Sequence, residues 1–246
     1  GCIFTCARTQ EDLDEALKAW KSEGLEVDGI VADCSKAEDR ERLMAAVKEQ
    51  WDGELDVLVN NVGTNIRKPT AEYTEEEFDF LMNTNFKSCF HLSQLAHGLL
   101  KKGAASERAA TLSQASPDMS RRYSSIINIG SASSTIPDRT GSVYAASKAA
   151  MDMLTKNLAC EWAPDRIRVN CVSPWYIGTP LALQVLQDEA FKKSVLSRTP
   201  LARVGDVEEV AGAVAYMAMG ASSYVTGQVL SVDGGYTING LHKDFY

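Results

Sequence analysis

Short apolar runs alternate with longer segments of helical periodicity along most of this chain. The runs with the length and β-branched content of buried strands are residues 2–6, 26–31, 55–59, 124–129, 168–172 and 228–232. The segments with helical spacing of apolar side chains are residues 11–22, 36–51, 85–100, 145–158, 181–196 and 207–219. Thr74 is placed to cap one more helix, which starts at Glu75. Strands that alternate with helices predict a doubly wound parallel sheet covered on both faces, which is a three-layer α/β/α fold.

Polar residues follow several of the predicted strands at the point where each strand ends. In a doubly wound sheet, ligands bind outside the carboxyl ends of the strands. The segments that fall at those ends are Arg8, Asp33, residues 60–63, Ser131 and residues 174–179. The pattern therefore predicts one ligand-binding edge to which all of these segments contribute.

The candidate chemistry lies at Ser131, Tyr144 and Lys148. Ser131 follows the strand 124–129, while Tyr144 and Lys148 are four residues apart and so share one face of a helix. A free tyrosine hydroxyl has a pKa of about 10 and is a poor proton donor or acceptor at neutral pH. A nearby ammonium lowers that pKa, and a serine hydroxyl can hold a carbonyl oxygen, so the set predicts general acid–base chemistry. Taken alone, a tyrosine and a lysine at this spacing are more typical of an ordinary helix surface.

Composition and charge narrow the classes of function. The 246 residues carry a net charge of −8 with a pI near 5.0 and no long basic cluster, which argues against nucleic acid and anionic membranes as partners. No apolar run approaches the roughly 20 residues that span a bilayer. The six cysteines and three histidines show no metal-ligand spacing, so we expect reduced thiols and no metal site.

The pattern as a whole resembles the short-chain dehydrogenase/reductase family, whose catalytic serine precedes its tyrosine by the spacing between Ser131 and Tyr144. The resemblance covers the chain from residue 1 and implies a Rossmann-like fold. The positions that carry it are residues 60–63, Asn85, Ser131, Tyr144, Lys148, residues 168–170, Ser173, Pro174, residues 226–228 and residues 233–235. Within the family, residues 157–163 and 174–181 are most similar to the tropinone-reductase-like branch.

The resemblance implies a catalytic role for four residues. Tyr144 would donate a proton to the carbonyl oxygen of the substrate, and Ser131 would orient that oxygen. Lys148 would lower the pKa of Tyr144 and hold the nicotinamide ribose. Asn85 would anchor a water that relays protons to Lys148, although asparagine at this point is equally typical of a helix N-cap.

The resemblance also implies a nicotinamide dinucleotide as cofactor. Besides Tyr144 and Lys148, the residues expected to line it are Asp33 at the adenine, Asn61, Val62 and Gly63 at the adenosine-side ribose, and Ile177 and Thr179 at the carboxamide. Residues 60 and 61 also suit a simple turn, and Asp33 suits a loop. The first strand ends without the acidic residue that would bind the 2′-hydroxyl of NAD(H), and Arg8 follows it instead. A guanidinium suits the 2′-phosphate of NADP(H). We therefore predict NADP(H), with NAD(H) less favoured.

The start of the chain departs from the family pattern. The chain has no initial methionine and opens directly into a strand, so the family's first strand and its glycine-rich pyrophosphate turn are missing. We expect a truncated chain whose complete form would hold the dinucleotide. A cytoplasmic location is expected, and organellar targeting is left open because the true start is absent.

The predicted function is reduction of a small ketone by an NADP(H)-dependent oxidoreductase. The alternatives are a 3-oxoacyl-carrier-protein reductase, a sugar or polyol dehydrogenase, and a catalytically silent binding or scaffold protein. Apolar residues in 181–196, with Trp175 and Tyr176 before them, predict a dry pocket that prefers small cyclic or aryl-alkyl ketones to sugars and acyl-carrier thioesters, unless they only pack that lobe onto the core. Apolar residues on the helices 85–100 and 143–163 predict a homodimer or homotetramer.

Two local expectations concern packing and loops. In the first helix, Leu13, Leu17 and Trp20 are predicted to face the core. Residues 101–122 are rich in alanine, serine and charge and include Pro117, so they are predicted to form a solvated, partly disordered loop insertion. The insertion would enter at the amino end of the strand 124–129, away from the ligand-binding edge. Apart from it, residues 1–246 are expected to form a single domain.

Overall fold

The computed structural model describes residues 1–106 and 123–240 of the chain. Its strands are β1 (Ile3–Ala7), β2 (Val27–Val31), β3 (Val57–Asn60), β4 (Ser124–Ile129), β5 (Ile167–Pro174) and β6 (Val229–Val232). Its α-helices are α1 (Gln10–Ser22), α2 (Ala37–Gln50), α3 (Glu75–Met82), α4 (Ser88–Ala105), α5 (Ser142–Glu161), α6 (Pro180–Val185), α7 (Glu189–Arg198) and α8 (Val207–Ala218). The order confirms the predicted alternation of strands and helices.

The described strands pair in parallel throughout, in two groups. β1 pairs with β2, and the remaining strands form a sheet of order β3-β4-β5-β6. The break falls between β1 and β3, neither of which has a partner on its other edge among the described strands. The predicted doubly wound parallel sheet is therefore present, divided at this point.

Helices cover both faces of the larger sheet, as the three-layer prediction requires. Ile126 and Ile127 are adjacent on β4 and fully buried, but they belong to different hydrophobic clusters because side chains alternate across a strand. The cluster around Ile126 includes residues of α2, α4 and α5, and Phe4 and Ile30 of the smaller sheet pack against it. The cluster around Ile127 includes Met217 of α8. One core thus joins the two sheets on one face, while α8 covers the other face.

A π-helical turn connects α3 and α4. Thr74 and Glu77 form a capping box at the start of α3, which confirms the predicted N-cap. The backbone then widens to a π-helical turn over Asn83–Lys87 before α4 begins. Asn85 is consequently inside a helix rather than at its N-cap.

The end of α4 corrects the predicted loop insertion. Residues 101–105 continue the helix, and Gly103 and Ala104 are buried. The reason is tertiary: Gly103 packs so closely on the carbonyl of Leu55 that a side chain would collide with it. Residues 107–122 of the predicted insertion lie outside the described part of the chain.

Smaller differences concern one side chain and the lobe 181–196. Leu13 is buried as predicted and Leu17 is half-buried, but Trp20 is 37% exposed and does not reach the core. The lobe is two short helices, α6 and α7, because Asp188 interrupts it by accepting hydrogen bonds from the amides of Ala190 and Phe191 as an N-cap.

Three features of the described residues bear on function. All six cysteines are free thiols, of which Cys34, Cys89 and Cys171 are buried. In the ranges that the structure describes, no group of three or more cysteine, histidine or acidic side chains is arranged to hold a metal. No described helix is both long and apolar enough to cross a membrane.

Candidate active site

Ser131 lies just beyond the carboxyl end of β4. Its hydroxyl oxygen accepts a hydrogen bond from the amide of Ser133, at 3.2 Å, and so caps a short 3-10 helix over Ala132–Ser134. The side chain is held in place by this contact and remains at the edge where the predicted ligand site lies. Ser131 is 8% exposed, so its hydroxyl lies in a largely dry environment.

Tyr144 and Lys148 reach the same place from the first turns of α5. Gly141 stands at the N-cap with φ of 82°, a left-handed conformation that suits glycine, and this turn lets the helix start beside β4. The Lys148 ammonium lies 5.7 Å from the centroid of the Tyr144 ring and donates a 2.7 Å hydrogen bond to the carbonyl of Ile129. The structure therefore brings Ser131, Tyr144 and Lys148 together, as the sequence predicted.

The protonation of Tyr144 differs from the prediction that Lys148 would lower its pKa. Burial raises the pKa of the Tyr144 phenol above its ordinary value, and it outweighs the contact with Ser131 and the charge of Arg67, which lower it. The charge of Asp138 raises it further. The Lys148 ammonium lies over the face of the Tyr144 ring and is hydrogen-bonded to a backbone carbonyl instead. Tyr144 is consequently a phenol that keeps its proton at neutral pH.

Lys148 is itself perturbed by burial. Its side chain is 3% exposed, and burial lowers the pKa of its ammonium, against the opposing effects of Cys89, Cys171 and Asp152. Among the described residues, no carboxylate forms a salt bridge with it. Burying the Lys148 ammonium in the wall of the site therefore costs folding free energy. A buried charge of this kind is typical of a functional residue.

Asn85 ties the π-helical turn to the loop after β3 and to α5. Its Oδ1 accepts from the amide of Thr64 at 2.8 Å, and its Nδ2 donates to the carbonyl of Thr64 at 3.0 Å and to the Ser147 hydroxyl at 3.2 Å. The side chain is fully buried. Asn85 thus positions the loop that faces Lys148, which is compatible with the predicted proton relay.

A buried polar network lies directly beneath these residues. Asn60 Nδ2 donates to Asn128 Oδ1 at 2.9 Å and to Ser93 Oγ at 3.0 Å, and Asn128 Nδ2 donates to Thr155 Oγ1 at 2.9 Å. The network links the carboxyl ends of β3 and β4 to α4 and α5. The elements that carry the candidate site are therefore fixed to one another by directional contacts.

The site opens into a cavity of about 830 Å³. Ser131, Tyr144 and Lys148 line this cavity. Four of the predicted cofactor contacts also line it, namely Asn61, Gly63, Ile177 and Thr179. Val62 is 36% exposed and lies outside the lining. Asn85 is also outside the lining, behind Gly63.

Gly63 was predicted at the adenosine-side ribose, but the structure places it beside Lys148, the residue predicted at the nicotinamide ribose. A Cβ at this position would lie 3.3 Å from Lys148 Nζ and 3.6 Å from Asn85 Oδ1, so a side chain would fill the space between the cavity and the ammonium. With glycine there, a ribose can approach both Lys148 and the polar backbone after β3. The residues present therefore fit the ribose end of the predicted cofactor.

Arg8 and Asp33 lie apart from this cavity, after the carboxyl ends of β1 and β2. Arg8 is exposed. The Asp33 carboxylate accepts from the amide of Ser35 at 3.0 Å and from its hydroxyl at 2.7 Å, and Lys36 lies 3.9 Å away. Asp33 thus shapes its own loop, which is the alternative role left open for it, and the structure does not bring either residue to Tyr144.

Arg67 was missed by the sequence analysis, although it lines the cavity with Tyr144. Its guanidinium carbon lies 5.5 Å from the centroid of the Tyr176 ring and 5.9 Å from that of Phe191. A single arginine four residues after Gly63 carries no pattern that the sequence alone could identify as a site.

Comparisons with known proteins agree with this geometry. Residues 1–237 match the family model described as enoyl-(acyl carrier protein) reductase. A tropinone reductase homolog of Arabidopsis thaliana is 48% identical over 239 residues, which are 97% of this chain and 84% of that protein. A chloroplastic tropinone reductase homolog of the same plant is 45% identical over 239 residues, covering 97% of this chain and 69% of that protein.

Solved structures agree on the fold. A gluconate 5-dehydrogenase from Burkholderia cenocepacia, in complex with NADP and tartrate, superimposes with a TM-score of 0.84 at 30% sequence identity. The match covers 97% of this chain and 86% of the dehydrogenase.

The burial of Lys148 leads to a stability prediction. We expect Lys148→Met to leave the free energy of unfolding at pH 7 unchanged or to raise it by about 1 kcal/mol, because methionine needs no desolvation. As the pH rises from 7 towards 10.5, the ordinary pKa of lysine, the wild-type protein should gain stability relative to the variant. In this pH range the unfolded chain still holds the Lys148 proton, whereas the folded protein, with its lowered pKa, has begun to lose it. Urea unfolding over this pH range measures both effects.

The exposed Lys156 on the same helix provides the control. Lys156→Met should show no such pH-dependent difference from wild type. A loss of more than about 2 kcal/mol in Lys148→Met, or a difference that does not change with pH, would contradict the account of a desolvated ammonium.

Proposed function

Because this chain belongs to the short-chain dehydrogenase/reductase family, whose members are NAD(P)-dependent oxidoreductases, we propose that it reduces a small ketone with NADP(H). The observation that carries the proposal is the meeting of Ser131, Tyr144 and Lys148 in the wall of one cavity. The likeness to tropinone reductase homologs supports a carbonyl substrate of small size.

The proposed mechanism assigns the proton to Tyr144. Because burial raises the pKa of its phenol, Tyr144 is in the protonated form that can donate to a carbonyl oxygen. Ser131 donates a second hydrogen bond to that oxygen and polarises the carbonyl group. Against the larger effect of burial, which raises the pKa of Tyr144, the contact with Ser131 and the charge of Arg67 lower it and so stabilise the phenolate that forms.

The cofactor supplies the hydride when it is bound. Gly63 and Lys148 would hold its ribose, while Ile177 and Thr179 would lie against the nicotinamide end of the cavity. Asn61 lines the same cavity on the side of β3. These residues would orient the cofactor and exclude water, while the proton stays on Tyr144 until the carbonyl oxygen takes it.

A second candidate is oxidation or reduction of a sugar acid. It is favoured by the likeness to a gluconate 5-dehydrogenase and by the Arg67 guanidinium in the cavity. A 3-oxoacyl-carrier-protein reductase stays a further alternative, since the aromatic and apolar side chains of α6 and α7 beyond Tyr176 would also suit an acyl chain.

The proposed activity is tested by comparing three substrate classes with NADPH under one set of conditions. We expect the kcat/KM for a small cyclic or aryl-alkyl ketone to exceed those for a ketose and for an acetoacetyl thioester. Tyr144→Phe should lower kcat by at least about 100-fold, because phenylalanine keeps the packing and removes the proton. A ketose or thioester that leads by tenfold would overturn the ketone assignment, and full activity in Tyr144→Phe would overturn the mechanism.

We also propose a preference for NADPH over NADH through Arg8. Its exposed guanidinium follows β1 and can pair with a 2′-phosphate in a bidentate manner. We expect the dissociation constants, measured by calorimetry, to favour NADPH, and Arg8→Ala to reduce that preference about tenfold or more. Arg42, an exposed arginine paired with Asp39 on α2, is the control. Equal affinities in the wild type, or an unchanged ratio in Arg8→Ala, would contradict the proposal.

The proposed enzyme assembles as a homodimer or homotetramer. Large apolar side chains are exposed on the outer helices, with Phe78 and Phe80 on α3, Phe90 and Leu95 on α4, and Met153 on α5. Such a patch on a described monomer surface is typical of an interface. Light scattering at micromolar concentration should report at least a dimer, and Met153→Glu should shift it towards monomer while Lys156→Glu should not. A monomeric wild type would refute the assembly.

A further inference from the structure

The charge inside the cavity is opposite to the charge of the whole protein. The chain has a net charge of −8. The charged side chains that line the cavity in the described structure are nevertheless both cationic, Arg67 and Lys148, and no aspartate or glutamate is in the lining. A cavity lined in this way attracts anions, because opposing carboxylates are kept out of it.

Arg67 is the cation available to a substrate. The Lys148 ammonium already donates to the carbonyl of Ile129 and is packed against the Tyr144 ring. Arg67 forms no salt bridge with any carboxylate in the ranges that the structure describes. Its guanidinium lies over the rings of Tyr176 and Phe191, at 5.5 and 5.9 Å from their centroids. This contact aligns the guanidinium, which also interacts with the Tyr176 hydroxyl, and with five N–H groups it keeps donors for a ligand in the cavity that it lines.

Two aromatic side chains, Trp175 and Tyr176, line the cavity on the same side as Arg67. The Trp175 indole nitrogen is buried without a hydrogen-bond partner in the described structure, and the buried Tyr176 hydroxyl lies beside the Arg67 guanidinium, which interacts with it. Both side chains are rigidly held, since Trp175 stacks on Tyr236 with centroids 3.6 Å apart and Tyr176 packs edge-on against Phe191. Neither polar atom has accessible surface, so these two side chains present their aromatic faces to the cavity and the hydrogen bonds to a charged ligand fall to Arg67.

Asp138 is a carboxylate whose charge acts on two tyrosines of this wall, Tyr144 and Tyr176. Burial raises the pKa of both tyrosines. The charge of Asp138 raises each pKa further, whereas the charge of Arg67 lowers it. However, Asp138 accepts a hydrogen bond from Ser133 at 3.3 Å and does not line the cavity. It therefore leaves the guanidinium of Arg67 available.

We propose that Arg67 binds a carboxylate of the substrate, so that the preferred substrates are oxo acids with an apolar or aromatic body between carbonyl and carboxylate. This inference rests on the proposed function, because the ketone is placed at Ser131 and Tyr144. The planar guanidinium matches a carboxylate in two parallel hydrogen bonds, and the aromatic wall of Trp175 and Tyr176 covers the apolar body. Arg67 is thereby a specificity-determining residue.

The test uses aryl ketones that differ only in charge. The probes are 3- and 4-acetylbenzoate and the corresponding acetylbenzamides, so that two distances between ketone and carboxylate are sampled. In the wild type we expect at least one acid to exceed its amide by about tenfold or more in kcat/KM. Arg67→Met should remove that advantage: because the charge of Arg67 also acts on Tyr144, both reactions slow, but kcat/KM should fall about tenfold or more further for the acid than for the amide. Arg67→Lys should recover part of it.

Lys68 provides a matched control, because it is the adjacent cation but pairs with Glu77 and lies outside the cavity lining. Lys68→Met should leave the ratio of acid to amide unchanged. Equal losses for acid and amide in Arg67→Met would show a packing role and overturn the proposal, as would a wild type that does not distinguish them.

Calorimetry separates this inference from the proposed function. If no ketone is reduced at all, the proposed function fails, and titration with 4-ethylbenzoate and 4-ethylbenzamide still decides the role of Arg67. Binding of the acid by the wild type that is lost in Arg67→Met would support the anion site. No binding of the acid, or equal binding by both proteins, would overturn it.

Discussion

The candidate site depends on a small set of polar side chains buried between two strands and two helices. Asn60 and Asn128 face each other across β3 and β4, and Ser93 and Thr155 accept their amide hydrogens from α4 and α5. Each bond contributes only about 1 kcal/mol, but an amide left unpaired there costs about 1–3 kcal/mol. Few alternative registers satisfy all of these contacts at once, so the network fixes the positions from which Ser131, Tyr144 and Lys148 project.

The same burial sets the protonation states that the chemistry uses. Burial raises the pKa of the Tyr144 phenol and lowers that of the Lys148 ammonium, which are opposite shifts with one physical cause. The neutral Tyr144 phenol and the desolvated Lys148 ammonium thus share one wall of the cavity, and no carboxylate lines that cavity in the described structure. The resulting field favours negative charge on atoms that enter the cavity, whether it develops on a carbonyl oxygen or is carried in by a ligand.

Local rules were enough to predict most of the fold and the central part of the site. β4 has the predicted bounds, and the spacing of Tyr144 and Lys148 requires only one helical turn to bring them together. The sequence could not predict the direction of the Tyr144 pKa shift, because burial depends on elements far apart in the chain. The same holds for the end of α4, where contact of Gly103 with Leu55 overrides a loop-like composition, and for Arg67, whose position becomes meaningful only once α7 packs over it.

The π-helical turn over Asn83–Lys87 places the two helices that flank it out of phase. An α-helix advances by about 100° per residue, and a π-helical turn holds one residue more than an α-helical turn. Removing one residue from this segment would restore a continuous α-helix and rotate α4 by about that angle relative to α3. The stripe formed by Leu92, Ala96 and Leu100 would then leave the core, and Asn85 would no longer reach Thr64. The length of this segment is therefore as strictly constrained as the identity of any residue in the site.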